Sequence, residues 1–327
     1  MSATMTSKPA VGQGDFVAIS ASMIVPSRLC GISLYVCDQD NQQFRLFRAP
    51  NVPITPEWIE RLEQSAHRKL YVSAHEHQEF QRYLQENIKE LVKDESVPVV
   101  QRFALLNEVV REVLRKVLNT ADLDTSIAKT EELGHQVVEL VCRSNVISSE
   151  LCKMMYHDYQ TFTHVANVSY YSVMLAQECG IIAQDELCKV AIGAMLHDLG
   201  KSEIPDVILT KPGKLTDHEY QIVQTHPTIG LLRLGKRTDL SFAQLMMVYQ
   251  HHEHLDGTGY PVRVGGSEIH PWARICTVAD VFEALTSNRP YRAGMSMDVA
   301  FRIMDRQAGT FLDAEVYQRW KTLMQKH

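Results

Sequence analysis

Ala191-Ile192-Gly193-Ala194-Met195-Leu196-His197-Asp198-Leu199-Gly200-Lys201 is the stretch that decides the fold. Six small or apolar residues run without interruption into a histidine and an aspartate. A helix that is apolar all round is a buried helix. The run therefore predicts a core helix that delivers two polar side chains into the interior. Neighbouring helical residues point about 100° apart, so His197 and Asp198 can reach two adjacent cations, or one cation and its bridge. Imidazole nitrogen with carboxylate oxygen suits iron, manganese, zinc and similar borderline metals. A buried, charged Asp198 needs a partner, and a cation would serve. Gly200 is expected in the left-handed region, closing a helix that ends over Leu196–Leu199.

Four more segments carry the same chemistry. Asp158-Tyr-Gln160-Thr-Phe-Thr-His164 comes before the decisive stretch. After it come His226-Pro227 and His251-His252-Glu253-His-Leu-Asp256-Gly257-Thr-Gly259-Tyr260-Pro261. Last is Asp280, followed by Asn288-Arg289-Pro-Tyr-Arg292. Taken singly, each has an ordinary reading. A buried histidine is usually hydrogen-bonded structure, and His251-His252 could be surface residues at a helix end. Five such segments together, on several helices, are how helical bundles build metal sites.

The surrounding sequence predicts helix from Val97 onward. Apolar residues recur at spacings of three and four over Phe103–Leu118. Thr216 with Glu219 and Ser241 with Gln244 have capping-box spacing. Pro271 suits a first helical turn, and Ser296 and Asp313 are good N-caps. The earlier part reads differently. Phe16–Val25, Ile32–Cys37, Phe44–Arg48 and Lys69–Ser73 favour strands, with a polar turn over Asp38–Gln42. Pro56 with Trp58, Ile59 and Leu62 suggests a short helix, and from about His75 a polar helical segment leads away. The expected fold is mainly α: a C-terminal all-α bundle with a smaller N-terminal α/β (α+β) domain. The expected boundaries are 1–92 for a mixed regulatory or sensory domain, 93–146 for a helical connector and 147–327 for the metal-bearing bundle.

Composition narrows the function. The chain has 327 residues, 45% hydrophobic and 22% charged, with a formal net charge of -6. Such a balance is ordinary for a globular protein and argues against a broad surface for polymeric nucleic acid. No run is long enough to span a bilayer, and the first residues lack the apolar core of a signal peptide. The seven cysteines are scattered, which fits free thiols and a cytoplasmic location.

The order His197-Asp198 with Lys201, Ile204-Pro205-Asp206, Lys211-Pro212-Gly213-Lys214-Leu215, His226-Pro227, His251-His252-Glu253 and Asp256-Gly257-Thr-Gly259-Tyr260-Pro261 closely resembles the HD-GYP family. These are bacterial phosphodiesterases of the larger HD superfamily of metal-dependent phosphohydrolases. The resemblance runs from roughly Ser148 to Phe311. It implies an HD-type bundle with metal ligands at His164, His197, Asp198, His226, His251, His252 and Asp280. It implies a non-haem centre, usually iron with manganese a frequent substitute, and cyclic di-GMP as the usual substrate. Arg289 and Arg292 match positions that hold the substrate phosphate, and Asp158 an acidic position near the substrate. A neutral Gln160 stands where three-metal members carry a glutamate. The expectation is therefore two metals, a third weak or absent, and as product a linear dinucleotide, with GMP the alternative end product.

In the mechanism this implies, Asp198 bridges two ions. His197 and Asp280 complete one side and His226, His251 and His252 the other, with His164 at the first ion or a third site. Lys201 supports the phosphate electrostatically, or else pairs with a ligand carboxylate. Tyr260 stacks on a guanine base, or else its loop only shapes the helix junction. In the family that loop is also linked to diguanylate cyclase partners. The alternatives are a mixed cyclic GMP–AMP substrate, a nucleotide monophosphate, a receptor or scaffold that binds without cutting, and a structural metal site in a sensor. The apolar stripe of Phe103–Leu118 can serve a homodimer or pack within the monomer.

Overall fold

The computed structural model describes residues 15–20, 24, 29, 31–38, 43–55, 57–58, 69–119, 123–143, 161–288 and 292–325. Asp158, Gln160, Arg289, Pro56, Ile59 and Leu62 lie outside them. The chain divides into two compact units, 1–105 and 106–327. The division falls inside a helix, within the stretch 93–146 expected to connect the domains.

In the first unit, β1 (Phe16–Ser20), β2 (Leu34–Asp38), β3 (Gln43–Arg48) and β4 (Lys69–Ser73) form an antiparallel sheet in the order β1-β4-β2-β3. Phe16 pairs with Ser73 and Ser20 with Lys69, and β2 and β3 pair with an irregularity between Leu34 and Tyr35. Leu70 and Val72 are buried while Tyr71 between them is half-buried, the two-residue period of a strand with one covered face. Helix α1 (Ala74–Lys93) starts at Ser73, whose Oγ accepts from Glu76 N at 3.3 Å. The segment expected to lead away as a polar helix is amphipathic. Phe80, Leu84, Ile88 and Leu91 are buried, and α1 packs on β1 and β4. Its many charged residues lie on the other face and mask that stripe in the sequence.

Helix α2 (Val99–Asn119) crosses the division. Among the described residues the second unit has helices and no strand. They are α3 (Leu123–Arg143), α4 (Thr161–Glu178), α5 (Gln184–Leu196), α6 (Asp206–Leu209), α7 (Asp217–Val223), α8 (His226–Leu234), α9 (Phe242–Gln250), α10 (Pro271–Thr286), α11 (Met297–Gln307) and α12 (Ala314–Gln325). The molecule is mainly α with a small N-terminal α+β unit, as the sequence predicts.

Helices α4 and α5 form the centre. Every described side chain from Thr163 to Ala176 is buried, as are Leu187, Cys188 and all of Val190–Leu196. Around them pack α3, α9, α10 and α12. Tyr171 of α4, Phe282 of α10 and Trp320 of α12 meet with ring centroids 5.0 to 5.6 Å apart. Each such pair contributes about 0.5–1.5 kcal/mol beyond area burial, and together they fix α10 against α4. Both capping boxes expected from spacing are present, Thr216 with Glu219 on α7 and Ser241 with Gln244 on α9. Pro271 opens α10, Ser296 occupies the N-cap position of α11 without a side-chain capping bond, and Asp313 accepts from Glu315 N and Val316 N at the start of α12.

Candidate metal centre

Seven of the residues singled out in the sequence converge at helix ends and on one helix face. His164 lies in the first turn of α4. His197 caps the C-terminus of α5, and Asp198 follows it with φ −97° and ψ 8°. His226 is the first residue of α8, and His251-His252 follow the last residue of α9. Asp280 projects from the middle of α10. These residues form two sets of mutually close ligand atoms: Asp198 with His226, His251 and His252, and His164 with His197 and Asp280.

Asp198 stands between the sets. Its Oδ1 is 3.4 Å from His226 Nε2 and 3.8 Å from His251 Nε2. Its Oδ2 is 3.4 Å from His197 Nε2 and 3.7 Å from His164 Nε2. His164 Nε2 is also 3.2 Å from Asp280 Oδ1. The carboxylate thus offers one oxygen to each set. This is the division expected for a bridging ligand, and it puts His164 on the side of His197 and Asp280.

The rings are set by the main chain. His197 Nδ1 lies 2.6 Å from Ala194 O, His226 Nδ1 2.8 Å from Val223 O, and His251 Nδ1 3.0 Å from Val248 O. A carbonyl only accepts, so Nδ1 carries the proton in each ring and Nε2 presents a lone pair inward. That leaves lone pairs facing one another. His226 Nε2 and His251 Nε2 are 3.2 Å apart. His197 Nε2 and Asp198 Oδ1 are buried with no hydrogen-bond partner. Orphaned acceptors at this density are costly in a protein interior. Cations satisfy all of them at once, so the donors present fit divalent metals.

Electrostatics agree. Burial holds the imidazole of His226 down at about 4 and that of His252 at about 3, with positive neighbours adding to both. Burial also holds His251 well below the ordinary range. These rings are neutral at pH 7 and free to ligate. Burial opposes ionisation of Asp198, but Lys201 and His197 outweigh it and keep its carboxyl well below the usual range. His164 differs. Burial alone would lower it, yet Glu283 and Asp280 raise it to about 9. Without a cation, His164 supplies the positive charge, and a metal would take the place of its Nε2 proton.

Lys201 Nζ donates to Asp198 Oδ2 at 2.6 Å, so the lysine touches the shared carboxylate. Tyr260 stacks on His252, centroids 4.7 Å apart with a 28° interplanar angle. Arg292 donates to Leu285 O and Ala284 O at 3.2 and 2.6 Å, at the C-terminal end of α10.

Beside the proposed ligands, Gly259 and Gly200 are required by close approach. A Cβ on Gly259 would lie 2.4 Å from His254 N and 2.5 Å from His252 O. A Cβ on Gly200 would lie 1.9 Å from His226 O. The expectation of a left-handed Gly200 is corrected here. Gly200 sits in a 3-10 turn, Leu199–Glu203, and is not among the glycines with positive φ. The side chain is absent because α8 abuts the turn, which brings His226 to the centre.

Two acids were missed by sequence reasoning as supporting residues. Glu253 Oε1 accepts from Val262 N at 2.7 Å and Arg263 N at 3.0 Å, pinning the loop that bears Tyr260. Glu283 contacts His164 Nδ1. The available signal was its position three residues after Asp280 on α10, which places both acids on one face.

Residues 144–316 match the family model described as HD domain. The chain is 38% identical over 159 residues to a cyclic di-GMP phosphodiesterase response regulator of Xanthomonas campestris pv. campestris, covering 48% of this chain and 42% of that protein. It is 39% identical over 161 residues to a 3′3′-cGAMP-specific phosphodiesterase of Vibrio cholerae, covering 49% of this chain and 35% of that protein. The chain thus spans less than half the length of either. Its fold is similar to that of an HDG"Y"P protein from Bdellovibrio bacteriovorus, with a TM-score of 0.68 and 19% identity over 95% of this chain and 100% of that one.

Proposed function

The chain belongs to the HD-domain family, in its HD-GYP branch, and from that membership we propose that it is a metal-dependent phosphodiesterase that opens a cyclic dinucleotide. The observation that carries this reading is Asp198, buried between two sets of inward-facing ligand atoms with one oxygen toward each. The proposed ligands are His164, His197, Asp198 and Asp280 for one cation and Asp198, His226, His251 and His252 for the other. Iron is the favoured metal and manganese the alternative. Bound there, divalent cations would supply an acidified water and charge neutralisation at the phosphodiester.

The protein's own groups do the rest. Asp198 fixes the spacing of the two sets. The ring anchors at Ala194, Val223 and Val248 keep the imidazoles of His197, His226 and His251 aimed inward. Lys201 adds positive charge at the edge of Asp198, where negative charge grows on the phosphate as a water oxygen adds and the 3′ oxygen leaves. Guanidinium forks match phosphate oxygens, so Arg289 and Arg292 are proposed to hold the phosphate. Two N–H groups of Arg292 serve Leu285 and Ala284, and others remain for a ligand. Tyr260 is proposed to stack on a base, and Asp158 to line the substrate. With Gln160 in place of a glutamate, the product is the linear dinucleotide.

Cyclic di-GMP is the proposed substrate. Mixed cyclic GMP–AMP is the second reading, favoured by the likeness to a relative specific for 3′3′-cGAMP. The chain is assigned to the cytoplasm, with 1–92 as a regulatory or sensory domain, 93–146 as a connector that can serve a homodimer, and 147–327 as the catalytic domain. The loop Asp256–Pro261 is a candidate docking point for a diguanylate cyclase domain. Among the described residues no helix is long and apolar enough to cross a membrane.

The test is to incubate metal-loaded protein with each dinucleotide and separate the products by chromatography. Linear dinucleotide is expected, and the faster substrate names the messenger. Tight binding of either nucleotide without cleavage would replace the enzyme with a receptor.

A further inference from the structure

The four anchored imidazoles are not held alike on their outer edges. His197, His226 and His251 face neutral main-chain carbonyls through Nδ1. His164 faces a carboxylate, Glu283 Oε2. Asp280 and Glu283 leave the same face of α10 and take opposite edges of one ring, with Asp280 Oδ1 3.2 Å from Nε2. Glu283 is 1% exposed. Its Oε1 accepts from Asn167 Nδ2 at 3.3 Å and from Ser287 Oγ at 2.5 Å. An ionised carboxylate only accepts, so Nδ1 of His164 carries the proton and Nε2 is the ligand atom. A carboxylate behind a histidine fixes its orientation and makes it a stronger donor to a metal.

The two sets also differ in charge. The set of His164, His197 and Asp280 has Asp280 of its own and Glu283 behind it. The set of His226, His251 and His252 has three neutral rings and draws anionic charge from the shared Asp198 alone. We propose that Glu283 is a positioning residue that makes the His164–His197–Asp280 set the tighter of the two cation sites. The second set is then the labile one, filled last and emptied first. This inference rests on the metal reading above.

The experiment is a titration of full-length, chelator-stripped protein with manganese(II) alone, read as free and bound metal by electron paramagnetic resonance. Wild type is expected to bind in two steps, and His252→Ala to weaken only the second. Glu283→Gln keeps the shape and removes the charge. It is expected to weaken the first step by about 10- to 100-fold and leave the second in place, and Glu283→Asp is expected to recover part of the loss. Two unshifted steps in Glu283→Gln, or equal weakening of both, would overturn the inference. If Glu283→Gln does not fold, Glu283→Asp is read the same way: a shift of the first step alone supports the inference, and an unchanged titration or equal weakening overturns it. A wild-type chain that takes up no manganese overturns the metal reading itself, and this inference with it.

Discussion

Asp198 has its two oxygens in different company, and that is the chemistry of the site at its smallest scale. Removing the carboxylate deprives both ligand sets together. Asp198→Ala is expected to lose turnover entirely and to bind fewer metals per chain, measured by elemental analysis. Full activity in metal-replete Asp198→Ala would contradict its bridging role. Lys201→Ala is expected to keep its metals and lose about 10²-fold or more in kcat, the scale of one lost electrostatic donor. Protonation gives a third test, on metal-free protein. His226 and His252 are lowered to about 4 and about 3 from an ordinary 6.5. Their contribution to stability is present above about pH 6.5 and fades as pH falls toward 4. His164, raised to about 9, has the opposite sign: its contribution is full below about pH 6.5 and is lost as pH rises through 9. The metal-free Tm is therefore expected to be highest near neutrality and to fall on both sides, and a Tm flat from pH 4 to 9 would contradict these assignments. Of the proposed ligands, His197-Asp198 and His251-His252 stand out in the sequence as adjacent pairs of metal-binding types, whereas His164, His226 and Asp280 are single residues that only the family resemblance singled out as ligands. Glu283 was not, because its spacing from Asp280 marks only a shared helix face, and the ring it contacts, His164, comes from another helix across the bundle.

At the scale of elements, the site is a meeting of helix ends held by the packing behind them. His197, His226 and His251 sit where α5, α8 and α9 start or stop, so the caps of those helices bear on the ligands. Ser241→Ala, which breaks the capping box of α9, is expected to cost about 1 kcal/mol, read as a lower Tm in the metal-free protein. Gly200→Ala has a larger reach. Its Cβ would collide with His226 O, and such overpacking costs about 1–3 kcal/mol. Because the displaced backbone is that of a proposed ligand, metal content should fall together with Tm; a lower Tm with unchanged metal would separate the turn from the centre. Caps and helix starts were readable from sequence because they are local: a hydroxyl residue three places before Glu or Gln, or a proline in a first turn. The character of α1 was not readable, because its apolar stripe is diluted by charges and only the sheet beneath shows which face is covered. Gly200 failed for a similar reason, since the carbonyl that excludes a side chain comes from a helix about 26 residues further on.

At the scale of the whole molecule, chemistry and the remaining fold are apportioned unequally. All seven proposed ligands lie in the unit 106–327, and the family match covers 144–316. The unit 1–105 contributes a sheet and α1 and none of the ligands. Helical content and the small sheet were legible because period-two and period-four patterns survive in the sequence. The division between the units lies within α2, where nothing in composition changes. The measurement that bears most directly on the centre is turnover against metal loading. Full-length protein is purified without oxygen, stripped, reloaded stepwise with iron or manganese, and given cyclic di-GMP at each step. Linear dinucleotide should form only as the second equivalent of metal enters. Full turnover at one equivalent, or with both metals removed, would contradict a centre built on a shared Asp198.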